Sequence, residues 1–281
     1  MSENVAITGS VLGVDIGWAS KNRTTCACRL HWTSTIVSFE CSRASLAKRA
    51  QLLRKYTDRP IMVAALDGPL RSDFNVIDHY RRAEQLLTEG VGRRIGKPGQ
   101  SSSPVGRLLN LHANECARIL VETGEIGQAL HDHAVHRSAI VEAFPSSFLG
   151  VLIEQPEALA VNRASRSDVF YGHLARRDRL LTLLQYLLPN RTLKTSFAEI
   201  TNHDESAAVI CALTALCVAA GHYTVVGDKT DGWIVLPPWS FIQSWARVIL
   251  VQNAKRGGLE FRPENTNSAA KPMEASSRTT I

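Results

Sequence analysis

The sequence predicts an α/β fold: one elaborated domain on a mixed sheet of five strands. The chain order is β-β-β-α-β-α-β-α, with a helical and loop insertion between strands four and five. Two observations carry this expectation. Short apolar or β-branched runs, each ended by glycine, proline or a polar break, come three in a row and then alternate with segments of helical periodicity. The 281 residues supply ample chain for a buried core, and a composition of 44% apolar and 21% charged residues excludes collagen-like, coiled-coil and wholly disordered chains.

Residues 11–17 (VLGVDIG) are an apolar run ending in glycine, a buried strand. Residues 24–32 and 35–41 are rich in Thr, Cys, Val and aromatic residues around a short polar break. They read as two strands antiparallel to the first. Residues 42–56 place Leu46, Ala50 and Leu53 at helical spacing among basic residues, a surface helix. Residues 61–67 (IMVAALD) are the fourth strand, stopped by Gly68-Pro69. Then the rhythm breaks. Residues 76–89 read as a helix, 91–107 as a Gly/Ser/Pro loop with basic residues and no acid, and 108–122 as a helix. Residues 138–144 (SAIVEAF) are the fifth strand, cut off by Pro145. Two or three helices occupy 155–188, and an Ala-rich helix over 203–221 ends at Gly221. Short extended pieces at 225–226 and 233–235 precede Pro237-Pro238 and a last helix over 239–255. The polar stretch 257–281 has the composition of a disordered tail, and residues 1–10 read as a flexible start. The domain is thus expected over 11–256, with its insertion at 68–137.

Lys and Arg exceed Asp and Glu to give a net charge of +6, a balance compatible with a polyanionic partner. The longest apolar run, 207–221, is shorter than the roughly 20 residues a membrane span requires. The start, MSENVAITGS, lacks the basic region and apolar core of a secretion signal. The cysteines at 26, 28, 41, 116, 211 and 217 include no CxxC pair and read as reduced thiols. The expectation is a cytoplasmic protein without a membrane partner.

Four carboxylates fall on the core elements. In the first strand Leu12, Val14 and Ile16 face one way, while Val11, Gly13 and Asp15 face the other. An ionised carboxylate there is costly unless paired or bound to a metal; the plainer reading is a strand-end Asp capping a turn. Asp67 ends the fourth strand, either as a site residue or as a turn initiator before Gly-Pro. Glu142 lies within the fifth strand, facing either a site or solvent. Asp204 opens the Ala-rich helix, where an acid favours the positive end of the dipole, and Ala207, Ala208, Cys211 and Ala215 on its face let that helix sit close to a sheet. Jointly these acids are hard-oxygen ligands of the kind that hold Mg²⁺ or Mn²⁺. Two such ions about 4 Å apart support phosphodiester hydrolysis.

These motifs resemble the RNase H-like superfamily, and more closely the predicted nucleases of the "domain of unknown function 429" family. The resembling segments are Gly13-Val14-Asp15, then Leu66-Asp67-Gly68-Pro69-Leu70, then Val141-Glu142-Ala143-Phe144-Pro145, and 204–215 (DESAAVICALTA). Together they span about residues 11 to 240. The resemblance implies an RNase H-like fold and a metal-dependent nuclease (hydrolase) activity on nucleic acid, whether DNA, RNA or hybrid. Asp15 would bridge two Mg²⁺ or Mn²⁺ ions, Asp67 and Glu142 would each hold one, and Asp204 or Glu205 would complete the second site. One departure stands out: where the family's helix often carries a second acid, this chain has Ala207-Ala208. That keeps a catalytically inactive, nucleic-acid-binding module as an alternative. A further rival is an ATP-handling protein of the actin and sugar-kinase type, since VDIGWAS resembles their first phosphate loop; no second such strand is visible.

Basic side chains near the acids are the candidate substrate contacts. Arg81, Arg82 and Glu84 start a helix soon after the fourth strand, with Arg82 the candidate contact. Arg93, Arg94, Lys97 and Arg107 occupy the loop 91–107, which reads as a mobile flap over a phosphate backbone. The plainer reading of each is a solvated charged face. His131, His133 and His136 read as a polar loop, Cys26 and Cys28 as packing residues, and Trp233 as core.

Overall fold

The computed structural model describes residues 6–95, 100–159, 166–256 and 260–262. Its spine is β1 (Gly9–Asp15), whose alternation decides which layer each side chain meets. Leu12 and Val14 point to one face; Val11, Gly13 and Asp15 point to the other. β2 (Thr25–Trp32) and β3 (Ile36–Ala44) follow as antiparallel neighbours, as their sequences lead one to expect. On the other side of β1, β4 (Ala64–Asp67) and β5 (Ile140–Ala143) run parallel to it. The chain adds β6 (Thr192–Leu193), β7 (Thr224–Asp228), β8 (Gly232–Leu236) and β9 (Glu260–Arg262). Among the described residues the sheet therefore has nine strands, not five, in the order β6-β3-β2-β1-β4-β5-β8-β7-β9.

Two apolar layers flank it. Helices α1 (Arg49–Tyr56), α2 (Arg82–Thr88), α3 (Val91–Ile95) and α4 (Pro104–Glu122) come before β5. After it come α5 (Pro145–Gly150), α6 (Arg166–Arg176), α7 (Arg179–Leu187), α8 (His203–Ala219) and α9 (Ser244–Arg256). Leu53 and Tyr56 of α1 and Ala113 and Ala117 of α4 pack on the Leu12, Val14 and Leu66 face. On the opposite face lies α8, buried along almost its whole length, beside Val11, Cys28, Ala65 and Val141. A helix apolar all round belongs in the interior. None of the helices among the described residues is long and apolar enough to cross a membrane.

Small residues make the α8 contact. A Cβ built on Gly13 would run into the backbone of Ala208, Cys211 and Ala212. Backbone cannot step aside as a flexible side chain can. Gly13→Ala is therefore expected to destabilise the fold by about 1–3 kcal/mol, the range for overpacked cores, read from urea unfolding. Unchanged stability would mean that α8 does not rest on this strand.

Several boundaries differ from the sequence expectation, each for a physical reason. β1 begins at Gly9, inside the expected flexible start, because Gly9 pairs with Trp32 and the Trp32 indole donates to the carbonyl of Ala6 at 2.9 Å. Residues 42–44 prolong β3 rather than opening a helix. The helix expected over 76–89 is shortened to α2. Ahead of it the chain is tied by tertiary bonds, the Ile77 N–H donating to Asn110 Oδ1 at 3.1 Å and His79 meeting Asp231 at 2.9 Å. Pro145 does not simply stop a strand; it occupies the first turn of α5, where its missing N–H costs nothing. Within the expected tail, residues 260–262 pair with β7 as an edge strand, while 263–281, like 1–5, lie outside the described residues.

Candidate active site

Asp15 and Asp67 end neighbouring parallel strands and stand directly opposite each other in the ladder. Partners across a ladder share a face, so both carboxylates point to the α8 side, at the carboxyl ends of the strands, where open α/β sheets bind ligands. Both are half-buried. Burial, then the charge of Asp67, then that of Asp204 raise the Asp15 carboxyl well above its ordinary range. Asp67 is pushed up to about 7 by burial first and Glu142 second, with His203 pulling it back.

Asp204 arrives from the first turn of α8. Asn202 caps that helix, its Oδ1 accepting from the Glu205 N–H at 3.2 Å. Asp204 does not stand free: its Oδ2 accepts from Arg43 Nη1 at 3.4 Å. Glu205, next to it, is half-buried. Ala207, in the place of the absent acid, is 8% exposed. Among the described residues no group of three or more His, Cys, Asp or Glu side chains is gathered tightly enough to hold a metal ion.

Glu142 breaks with the expected set. Its ladder partner is Leu66, and Asp67 pairs with Ala143, so Glu142 points to the face opposite Asp15 and Asp67. It is 3% exposed and taken by Arg81 in a two-pronged ion pair, Nη2 to Oε1 at 2.7 Å and Nη1 to Oε2 at 2.8 Å. The Leu70 N–H adds a third donor at 2.7 Å. Arg81 Nε also donates to Glu84 Oε1 at 3.0 Å, and Glu84 accepts from the Ser101 hydroxyl. Burial raises the Glu142 carboxyl, and Arg81 and Leu70 only partly offset it. For Arg81 the order reverses: burial opposes its charge, and Glu142 and Glu84 outweigh burial. A guanidinium thus stands where the expected scheme puts a cation. A cavity of about 60 Å³ beside this network is also walled by Asp67 and Phe144.

The basic candidates disperse. Arg82 donates to Gln85 at 2.9 Å along its own helix. Arg94 pairs with Glu157 at 3.3 Å and lies 4.8 Å over the Trp245 ring. Arg107 folds back on the Ser102 carbonyl at 3.0 Å. Lys97 lies outside the described residues, and of Arg93 only the backbone, in α3, is described. Much of the expected flap is helix: α3 takes 91–95, and Ser103 with Pro104 starts α4 four residues early, Ser103 Oγ accepting from the Gly106 N–H at 3.0 Å. That capping pair was legible in the sequence.

Two residues near the acids carry no strong local signal, Arg43 and His203. Arg81 had one clue, the Arg-x-x-Glu spacing to Glu84, which brings the two side chains together at the start of a helix. His133 meets the Tyr223 hydroxyl at 2.8 Å and packs edge-on against Trp233. Cys26 stands opposite Asp15 in the ladder and is buried under α8, and all six cysteines are free thiols.

The raised Asp67 value has a measurable consequence. Its folded value, about 7, lies above the ordinary 3.8, so between these limits the native state holds more protons than the unfolded chain. Stability then falls as pH rises from about 4 to about 7, in the absence of divalent cations. Urea unfolding across that range in the presence of a chelator is expected to show this fall, and Asp67→Asn to flatten it. Equal pH slopes in parent and variant would remove Asp67 as the cause.

Compared with protein-family models, with curated proteins and with solved structures, the chain matches none.

Proposed function

We propose that this protein is a divalent-cation-dependent phosphodiesterase of RNase H-like fold, acting on nucleic acid. One observation carries the reading: two mutually repelling carboxylates, Asp15 and Asp67, sit side by side at the ends of parallel strands, with Asp204 brought near by α8. Such an arrangement is costly without a compensating positive charge. The central strands β3-β2-β1-β4-β5, with β2 antiparallel to its neighbours, support the fold assignment.

The donor chemistry of Asp15, Asp67 and Asp204 fits Mg²⁺ or Mn²⁺, which favour carboxylate oxygens. Glu142 does not fit, because Arg81 already neutralises it. When bound, such an ion supplies a Lewis acid for a phosphoryl oxygen. The protein's own groups do the rest. Asp15 and Asp67 would fix the cation's place, and its charge would offset the repulsion and burial that raise both carboxyls in its absence. Arg43 holds Asp204 and would have to yield it to the cation.

A second reading, a nucleic-acid-binding protein without catalysis, is favoured by the same two arginines. Arg81 closes Glu142, Arg43 engages Asp204, and Ala207 replaces the family's second acid. Incubation with Mn²⁺ and labelled single-stranded, duplex, hybrid and branched substrates separates the two. Cation-dependent cleavage of any of them supports the phosphodiesterase. Binding without cleavage across the panel sinks it in favour of the second reading.

A further inference from the structure

Arg94 and Arg107 of the loop expected to grip substrate are engaged within the protein, but another basic surface opens on the opposite flank of the acids. The loop after β1, the end of β3 and the start of α1 wall a groove of about 630 Å³, into which Lys21, Arg23, Arg43, Lys48 and Lys55 bring charge and no acid does. Lys55 pairs with Glu40 at 3.1 Å, both exposed, and Arg43 pairs with Asp204. Lys21, Arg23 and Lys48 are exposed, and no ion pair engages them among the described residues. The outer edge of β3 leaves the groove open, because β6 pairs only with Ile36 and Val37.

The groove opens at the end of the sheet that carries the acids, because β3 and β1 are both antiparallel to β2 and end side by side. Of its cations only Arg43 lies in the row Arg43, Cys26, Asp15, Asp67 on the face of the carboxylates. Lys48 and Lys55 come from the α1 side, on the other face, so a strand in the groove would pass the edge of β3 at Arg43 to reach the acids. At about 4.8 Å between strands, Arg43 is roughly 10 Å from Asp15. That is about three nucleotide steps at roughly 3.4 Å each. Lys21, Arg23 and Lys48, engaged by no ion pair among the described residues, repel one another, and a run of phosphates relieves the repulsion.

We propose that this groove binds the phosphodiester backbone of a nucleic-acid strand and leads it to Asp15 and Asp67. The delivery half of the proposal rests on the phosphodiesterase reading; the binding half does not. Recognition here is by phosphate charge and carries no base preference.

The test measures anisotropy of fluorescein-labelled, mixed-sequence oligonucleotides, single-stranded and duplex, against the full chain in a chelator over a range of NaCl concentrations. A Lys21→Ala/Arg23→Ala/Lys48→Ala variant removes exposed, unpaired cations, and its melting temperature checks that it folds. Each lost phosphate contact lowers the slope of log affinity against log salt by about 0.7 to 0.9, so the variant's slope is expected to fall by about two to three units, equally for different sequences. Arg59→Ala/Arg137→Ala, which removes exposed charge outside the groove, is expected to change the slope by less than about one unit on the same rule. A triple variant with the parent's affinity and slope overturns the groove, as does a parent that binds no oligonucleotide. Loss of slope in the variant, with no cleavage by the parent in Mn²⁺, keeps the groove and removes the phosphodiesterase reading instead.

Discussion

An Asp15→Asn variant is expected to lose cation-dependent hydrolysis by at least about 10²–10³-fold, the scale for removing one group that stabilises a transition state. The amide keeps the size of the carboxylate but not its charge, so β1 and its ladder to Asp67 remain. Without divalent ions the same variant should melt a few degrees higher, because the repulsion from Asp67 and Asp204 that raises the Asp15 carboxyl disappears. The two effects have opposite signs. A merely structural Asp15 would give a drop in both, and a variant that cleaves as well as the parent would remove Asp15 from the site. Thermal melts with and without Mn²⁺ add a third readout: the parent should gain stability from the ion, and the variant should not.

Arg81→Met is expected to be the most destabilising change among those considered, at about 3–5 kcal/mol, because it leaves Glu142 and Glu84 buried without their cation. Glu142→Gln alone should cost less, since the amide oxygen still accepts from the Leu70 N–H. The double variant should be more stable than the sum of the two losses, and urea unfolding of all four proteins measures that coupling. Additive losses would mean that the pair does not act as a unit. Arg81→Met has a functional readout as well. If Arg81 occupies the place of a cation, its loss frees Glu142, and Mn²⁺ should then stabilise the variant more than it stabilises the parent.

Much of the placement of the candidate site residues was legible because it depends on local rules. The alternation of residues 11–16 fixes that Asp15 lies opposite the apolar Leu12 and Val14. Gly68-Pro69 ends β4 right after Asp67, and the small residues of α8 allow its close approach to Gly13. Glu142 was misjudged for a reason of the same kind taken one step further. Alternation gives the relative facing of residues within β5, but the ladder register, Glu142 beside Leu66 rather than Asp67, decides which face meets which acid. A one-residue difference in register moves a side chain across the sheet.

By itself the sequence determined the α/β class, the first three antiparallel strands, the acids at the ends of β1 and β4, and the acidic first turn of α8. These follow from side-chain period, turn residues and the helix dipole, all of which act over a few residues. Only the tertiary structure decided that Arg81 holds Glu142 across 61 positions of chain and Arg43 holds Asp204 across 161. It also decided that β6 and β9 extend the sheet, and that Lys21, Arg23 and Lys48 gather in one groove. An ion pair or an edge strand depends on which distant segments meet, and no local periodicity encodes that meeting.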